Sequence, residues 1–272
     1  MPNTKPIGVF DSGLGGLTVV RQLAQLLPNE NIVYFGDTGR VPYGTRSAET
    51  ITKYAQEDEQ FLLAQNVKMI VAACGTVSSV AFHTGDNLPV PFLGVVEPAA
   101  KAAADSTRNN RIGIIGTSAT VKSGAFDRAI HRHNPQAQVF SNPCPLLVSL
   151  VEAGWIQCDD IVTVTAVKRY LEPLMEQQVD TLILGCTHYP VLKDIIRDIV
   201  GPDTLLIHPG EWAALAVREH LQASGKSNGS GKTGSHRFFV TDRTASFSKT
   251  ASILLGYDIK NLVEYIDLKD FS

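Results

Sequence analysis

The stretch PIGVFDSGLGGLTVVRQLAQLLP, residues 6–28, reads as one strand followed by one helix. Ile7 to Phe10 is an apolar run of strand length that ends at the carboxylate of Asp11. Asp11-Ser12-Gly13-Leu14-Gly15-Gly16 follows as a small-residue turn, and Leu17 to Leu27 then places apolar residues at helical spacing and stops before Pro28. A strand that is apolar throughout, with a helix as its connection, belongs to a parallel sheet covered on both faces.

The same order runs along the chain. Further strands are expected at 32–35, 68–72, 92–96, 111–115, 137–140, 181–184, 205–207, 237–240 and 261–265. Helical periods fall at 48–65, 159–177 and 211–223. The fold class is therefore α/β.

Two internal echoes refine it. Residues 6–28 are matched by RIGIIGTSATVKSGAFDRAIHRHNP at 111–135, each with Ile-Gly opening a strand and Pro closing the unit. VKMIVAACGTVSS at 67–79 is matched by VDTLILGCTHYP at 179–190, each a strand running through a small residue into Cys. Ile7 and Cys74 are 67 residues apart, and Ile112 and Cys186 are 74 apart. The expected architecture is two similar lobes with mostly parallel sheets flanked by helices, related by pseudo-two-fold symmetry, with the active site in the cleft between them. The first lobe is read as 1–97 plus 209–272 and carries Cys74; the second is 98–208 and carries Cys186.

Composition narrows the function. The 272 residues are 44% hydrophobic and 19% charged, an ordinary globular balance. With 24 Lys and Arg against 27 Asp and Glu the net charge is -3, so no basic excess exists to meet a nucleic acid. No apolar run approaches the ~20 residues of a membrane span, and the N-terminus has no signal-peptide pattern. A cytoplasmic location is expected. Four cysteines without a CxxC pair make neither a disulfide scaffold nor a zinc knuckle.

Ligands of open parallel sheets sit beyond the carboxyl ends of the strands, which is where the polar loops of this chain lie. The turn at 11–16 is expected to be tight and to offer backbone N–H groups to an anion. Asp11 adds a carboxylate that suits an amine or orients a catalytic group. The loop Gly36-Asp37-Thr38-Gly39-Arg40-Val41-Pro42-Tyr43-Gly44 reads as a ligand loop, or as a solvated loop in which Asp37 caps a turn. Ser78 and Ser79 are candidate N-caps after Cys74. SGKSNGSGKTGS at 224–235 ends in Gly231-Lys232-Thr233, but its glycine spacing and its place between helix and strand do not fit a P-loop, and a flexible connection is expected.

A buried cysteine is ordinarily inert, and Cys144 and Cys158 are read that way. Cys74 and Cys186 differ because both stand where a strand gives way to a helix, whose N-terminus favours thiolate. Two thiols on equivalent elements of related halves would face each other across the cleft. One can take a proton from a carbon acid while the other delivers a proton to the opposite face, which inverts a stereocentre without a cofactor.

Seven blocks in order, IGVFDSGLGGLTV, YFGDTGRVPYG, VAACGT, LGVVEPA, IGIIGTSATV, CPLLVSLVEAG and LGCTHYPVL, resemble the cofactor-independent glutamate racemases of the aspartate/glutamate racemase superfamily. The resemblance implies interconversion of L- and D-glutamate, supply of the D isomer for peptidoglycan, no cofactor or metal, and a homodimer. It makes Cys74 and Cys186 the catalytic thiols, and Asp11-Ser12, Tyr43-Gly44, Gly75-Thr76 and Thr187-His188 the substrate-binding segments. Asp11 and His188 then assist deprotonation of the thiols, with Glu152 a further acidic residue. One departure stands out: the family's usual Cys-Asn-Thr is Cys74-Gly75-Thr76 here, which removes an amide that can hold substrate. Racemisation of another acidic amino acid such as aspartate, and a non-catalytic binding protein with inert cysteines, are the competing readings.

Overall fold

In the computed structural model, which describes residues 3–242, 247–259 and 262–268, the chain builds two parallel sheets. The first part runs β1 (Ile7–Asp11), α1 (Leu17–Leu26), β2 (Ile32–Gly36), α2 (Ala48–Ala64), β3 (Met69–Ala72), α3 (Gly75–Val80) and β4 (Phe92–Gly94). The second runs α4 (Val96–Ser106), β5 (Arg111–Gly116), α5 (Ser118–Ser123), α6 (Ala125–His133), β6 (Gln138–Pro143), α7 (Leu146–Glu152) and α8 (Ile161–Glu176). It continues with β7 (Thr181–Leu184), α9 (Lys193–Val200) and β8 (Leu205–Ile207). The chain then forms α10 (Pro209–Ala223), β9 (His236–Val240), α11 (Phe247–Leu255) and β10 (Val263–Tyr265).

The sheet orders carry the internal echo. One sheet is six-stranded, β10-β9-β2-β1-β3-β4, and the other four-stranded, β6-β5-β7-β8. β2-β1-β3-β4 and β6-β5-β7-β8 are the same arrangement, and the C-terminal strands extend the first sheet through the β2–β9 pairing. β1 and β3 are buried along their whole length, as expected of central strands with helices on both faces. One hydrophobic cluster takes Ile7, Val9 and Val71 from the first sheet together with Ile115, Leu182 and Leu184 from the second. Among the described residues no helix is long and apolar enough to cross a membrane.

Several expectations change in detail. The strand read at 92–96 stops at Gly94, because Val96 already begins α4, and the strand read at 137–140 continues to Pro143 beside β5. Of the strand expected at 261–265, residue 261 lies outside the described residues. Neither Ser78 nor Ser79 caps α3: Cys74 holds the N-cap position, while Ser78 Oγ donates to the Ala72 carbonyl.

The segment 224–235, expected to be a flexible connection, is anchored at several points. Lys68 Nζ, buried against the Glu30 carboxylate, donates to the Lys226 carbonyl at 2.9 Å, and Asn228 N donates to Glu30 Oε1 at 2.7 Å. Gly234 N donates to the Pro28 carbonyl, and a Cβ on Gly234 would stand 1.9 Å from the Glu30 carbonyl oxygen. Of the glycines here, Gly234 is the one that close backbone packing requires, while Gly225, Gly229 and Gly231 have open space around them.

Candidate active site

Cys74 lies two residues past the end of β3 and Cys186 two residues past the end of β7, the equivalent strands of the two sheets. Both are largely buried, at 4% and 7% exposure, and both line one cavity of about 350 Å³. That size suits a small-molecule ligand. Ser12, Tyr43, Gly44, Gly75 and Thr76 form the wall on the first-sheet side, and Glu152, Thr187 and His188 form the wall on the other. Asp11 lies behind the wall, 1% exposed, where its Oδ2 accepts from Gly13 N and its Oδ1 accepts from Thr187 Oγ1 at 3.4 Å.

Thr117, Ser118, Val148 and Ser149 also line the cavity, and the sequence reading assigned them no role. For Thr117 the signal was present. In the echo of residues 6–28 by 111–135 it follows β5 as Ser12 follows β1. It caps α5 by accepting from Thr120 N, and its hydroxyl meets that of Thr76 at 3.0 Å across the cleft. Ser149 sits on α7.

Glycines let the two walls approach. None of Gly13, Gly15 and Gly16 has a positive φ, so the turn forms without left-handed backbone. A Cβ on Gly15 would instead fall 2.1 Å from Thr187 Oγ1 and 2.6 Å from the His188 ring. At Gly75 it would fall 2.3 Å from the carbonyl oxygen of Gly185, a backbone atom with no freedom to swing away. The departure from Cys-Asn-Thr thus alters the seam between the walls as well as removing an amide.

The two sulfurs have different surroundings. Cys74 Sγ donates to Ser12 Oγ at 3.4 Å. Burial and the nearby Asp11 charge push its pKa up to about 12, against the pull of the Ser12 contact and the Val77 N–H. The expectation that a helix N-terminus favours thiolate is opposed at Cys74, where α3 has only six residues and burial raises the thiol. Burial likewise raises Asp11, although His188 and the Gly16 and Gly13 N–H groups oppose it.

Cys186 Sγ stands 3.9 Å from His188 Nδ1, and His188 Nε2 stands 3.2 Å from Glu152 Oε1. Burial alone would strip the imidazole of its proton, but the sulfur and carboxylate on its two faces reverse this and push its pKa up to about 10. The protonated form of His188 is thus favoured between Cys186 and Glu152. Glu152 keeps 44% of its side chain in solvent while making this contact, so it is both a solvated helix residue and a partner of His188. Cys144 is buried at the base of α7, its thiol turned to the Asn142 carbonyl, and Cys158 is exposed. Among the described residues no group of three or more His, Cys, Asp and Glu stands where it could hold a metal.

Comparison with known proteins identifies the family. The Asp/Glu/Hydantoin racemase family model matches residues 7–217. The chain is 46% identical to a glutamate racemase of Syntrophus aciditrophicus over 98% of both proteins. A crystal structure of glutamate racemase from Francisella tularensis in complex with D-glutamate superposes with a TM-score of 0.91 at 37% identity, covering 99% of this chain and 100% of that one. A glutamate racemase isoform from Bacillus anthracis gives 0.92 at 37% identity over 98% of both chains. Two equivalent thiols on one cavity, with likeness of this extent, make the conclusion plain: the chain belongs to the glutamate racemases of the Asp/Glu/hydantoin racemase family.

Proposed function

We propose that the chain interconverts L- and D-glutamate by moving protons at Cα between Cys74 and Cys186, with no cofactor. The observation that carries this is the pair of sulfurs on one cavity, each with its own polar relay. One sulfur acts as thiolate and the other as thiol, and Cys74, turned to Ser12, is the one whose burial favours the protonated form. Cys186 removes the Cα proton from one face and Cys74 gives its proton to the other. The configuration inverts, the charges on the two sulfurs exchange, and catalysis of the opposite enantiomer restores them. His188 with Glu152 serves the Cys186 side, and Ser12 with Asp11 serves the Cys74 side. Ser12, Thr76, Thr187 and the N–H groups of Gly44 and Gly75 suit the two carboxylates of glutamate. Tyr43 and Gly44 belong to the first-sheet wall of the same cavity.

The same reading divides the chain into a first lobe, 1–97 plus 209–272, and a second, 98–208. Sheet membership supports it, since β9 and β10 join the first sheet. It also includes a cytoplasmic homodimer that supplies D-glutamate for peptidoglycan. Sizing by light scattering tests the dimer.

In heavy water, turnover of either enantiomer introduces deuterium at Cα. Cys74→Ser and Cys186→Ser each abolish racemisation in both directions, followed by circular dichroism on L-glutamate. Full activity in either variant would overturn the mechanism. A dichroism signal that stays constant for the wild type while ligand binds would leave a binding protein, and faster loss of signal with L-aspartate would reassign the substrate.

A further inference from the structure

The loop between β2 and α2 carries more buried charge than a cavity wall requires. Asp37 and Asp58 are both 0% exposed. Arg40 lies between them, with Nε 2.5 Å from Asp37 Oδ2, Nη2 3.1 Å from Asp58 Oδ1 and Nη1 on Glu57. Its guanidinium also covers the Tyr54 ring at 4.0 Å. The Tyr43 hydroxyl contacts Asp37 Oδ2 and stands 3.1 Å from Asp58 Oδ2.

Counting hydrogens decides what this cluster is. A phenol has one hydrogen to donate and an ionised carboxylate has none. If both aspartates were ionised, one of the two Tyr43 contacts would oppose lone pairs in a buried site, at the cost of an unsatisfied polar pair. One carboxyl must therefore hold a proton. On Asp37 both oxygens already accept, Oδ1 from Thr241 Oγ1 at 2.9 Å and Oδ2 from Arg40. On Asp58 the Oδ1 accepts from Arg40, while among the described residues Oδ2 meets only Tyr43.

We propose that Asp58 is a neutral carboxylic acid whose hydrogen goes to the Tyr43 hydroxyl, which in turn donates to the ionised Asp37, and that this chain holds Tyr43 and Gly44 in place as a wall of the substrate cavity. Asp58, Asp37 and Arg40 are then positioning residues for racemisation. Burial and the Asp37 charge push the Asp58 carboxyl well above the ordinary carboxylate range, in the same direction as the hydrogen count. The consequence reaches the second sheet, because Gly44 sits where a Cβ would fall 2.8 Å from Thr117 Cβ. Loosening the loop disturbs both walls together.

This rests on the reading of Tyr43 and Gly44 as substrate wall, and the test separates the two. Asp58→Ala removes the donor to Tyr43, and D-glutamate affinity by calorimetry together with KM is expected to weaken about tenfold or more, with a smaller change in kcat. Asp58→Asn keeps a donor toward Tyr43 and an acceptor toward Arg40, and is expected to rescue both quantities to within about threefold. Infrared difference spectra of wild type against Asp58→Asn are expected to show loss of one protonated-carboxyl band. Asp58→Asn as impaired as Asp58→Ala in a folded protein, or no such band, overturns the proposal. If the alanine variant fails to fold, the asparagine variant and the band decide. Calorimetric affinity needs no thiol chemistry, so failure of the Cys74 and Cys186 predictions leaves this result readable. If wild type itself binds no D-glutamate, it is the wall reading that falls.

Discussion

His188 is where a single side chain most directly governs activity with pH. Its pKa rises from an ordinary 6.5 to about 10, so the charge it carries in the folded protein stabilises fully below 6.5 and is lost as pH climbs through about 10. The kcat/KM profile should accordingly hold to an alkaline limb near that value. Glu152→Gln removes one of the groups that keep the proton on, and the limb should move to lower pH by about one unit or less, since Glu152 is partly solvated. A limb unmoved by that change would show that Glu152 does not help hold the proton on His188. The cysteines were legible from residue type and the internal echo, and His188 only through the family resemblance. Ser12 as the thiol's partner was legible only as part of a binding segment, because nothing in sequence says that β1 and β3 are neighbours.

At the scale of the element, glycine placement and caps decide how α1 meets the other wall. Gly15→Ala puts a methyl group into the space of Thr187 and His188. Overpacking of this kind costs about 1–3 kcal/mol, and because the groups displaced face Cys186, activity should fall further than stability. Steady-state kinetics and thermal unfolding of the same variant check this. The connection from α10 to β9 makes a second case. Lys68→Met leaves Glu30 buried without its cation, for which a loss of about 3–5 kcal/mol in denaturant unfolding is expected. The connection looked flexible because composition reports chain entropy, whereas its anchors, Glu30 and Lys68, lie far away in sequence.

Taken as a whole, the molecule has a core that crosses from one sheet to the other, and the seam adds the Thr76–Thr117 contact and the Thr18 hydroxyl on the Thr187 carbonyl. Lobes joined this way should unfold together. Calorimetry is expected to give one transition whose calorimetric and van't Hoff enthalpies agree, and two separate transitions would mean that each lobe stands alone.

By itself the sequence determined the α/β class, the repeated strand-to-helix unit and the two cysteines, because periodicity and an internal echo are local patterns that survive without coordinates. Tertiary structure alone decided that burial and Asp11 raise the Cys74 thiol, that Cys186 and Glu152 raise His188, and that Asp37 and Asp58 close on Tyr43. The reason is physical: desolvation and charge coupling depend on which groups are brought within a few ångströms of one another, and that proximity is set by the packing of elements distant in the chain.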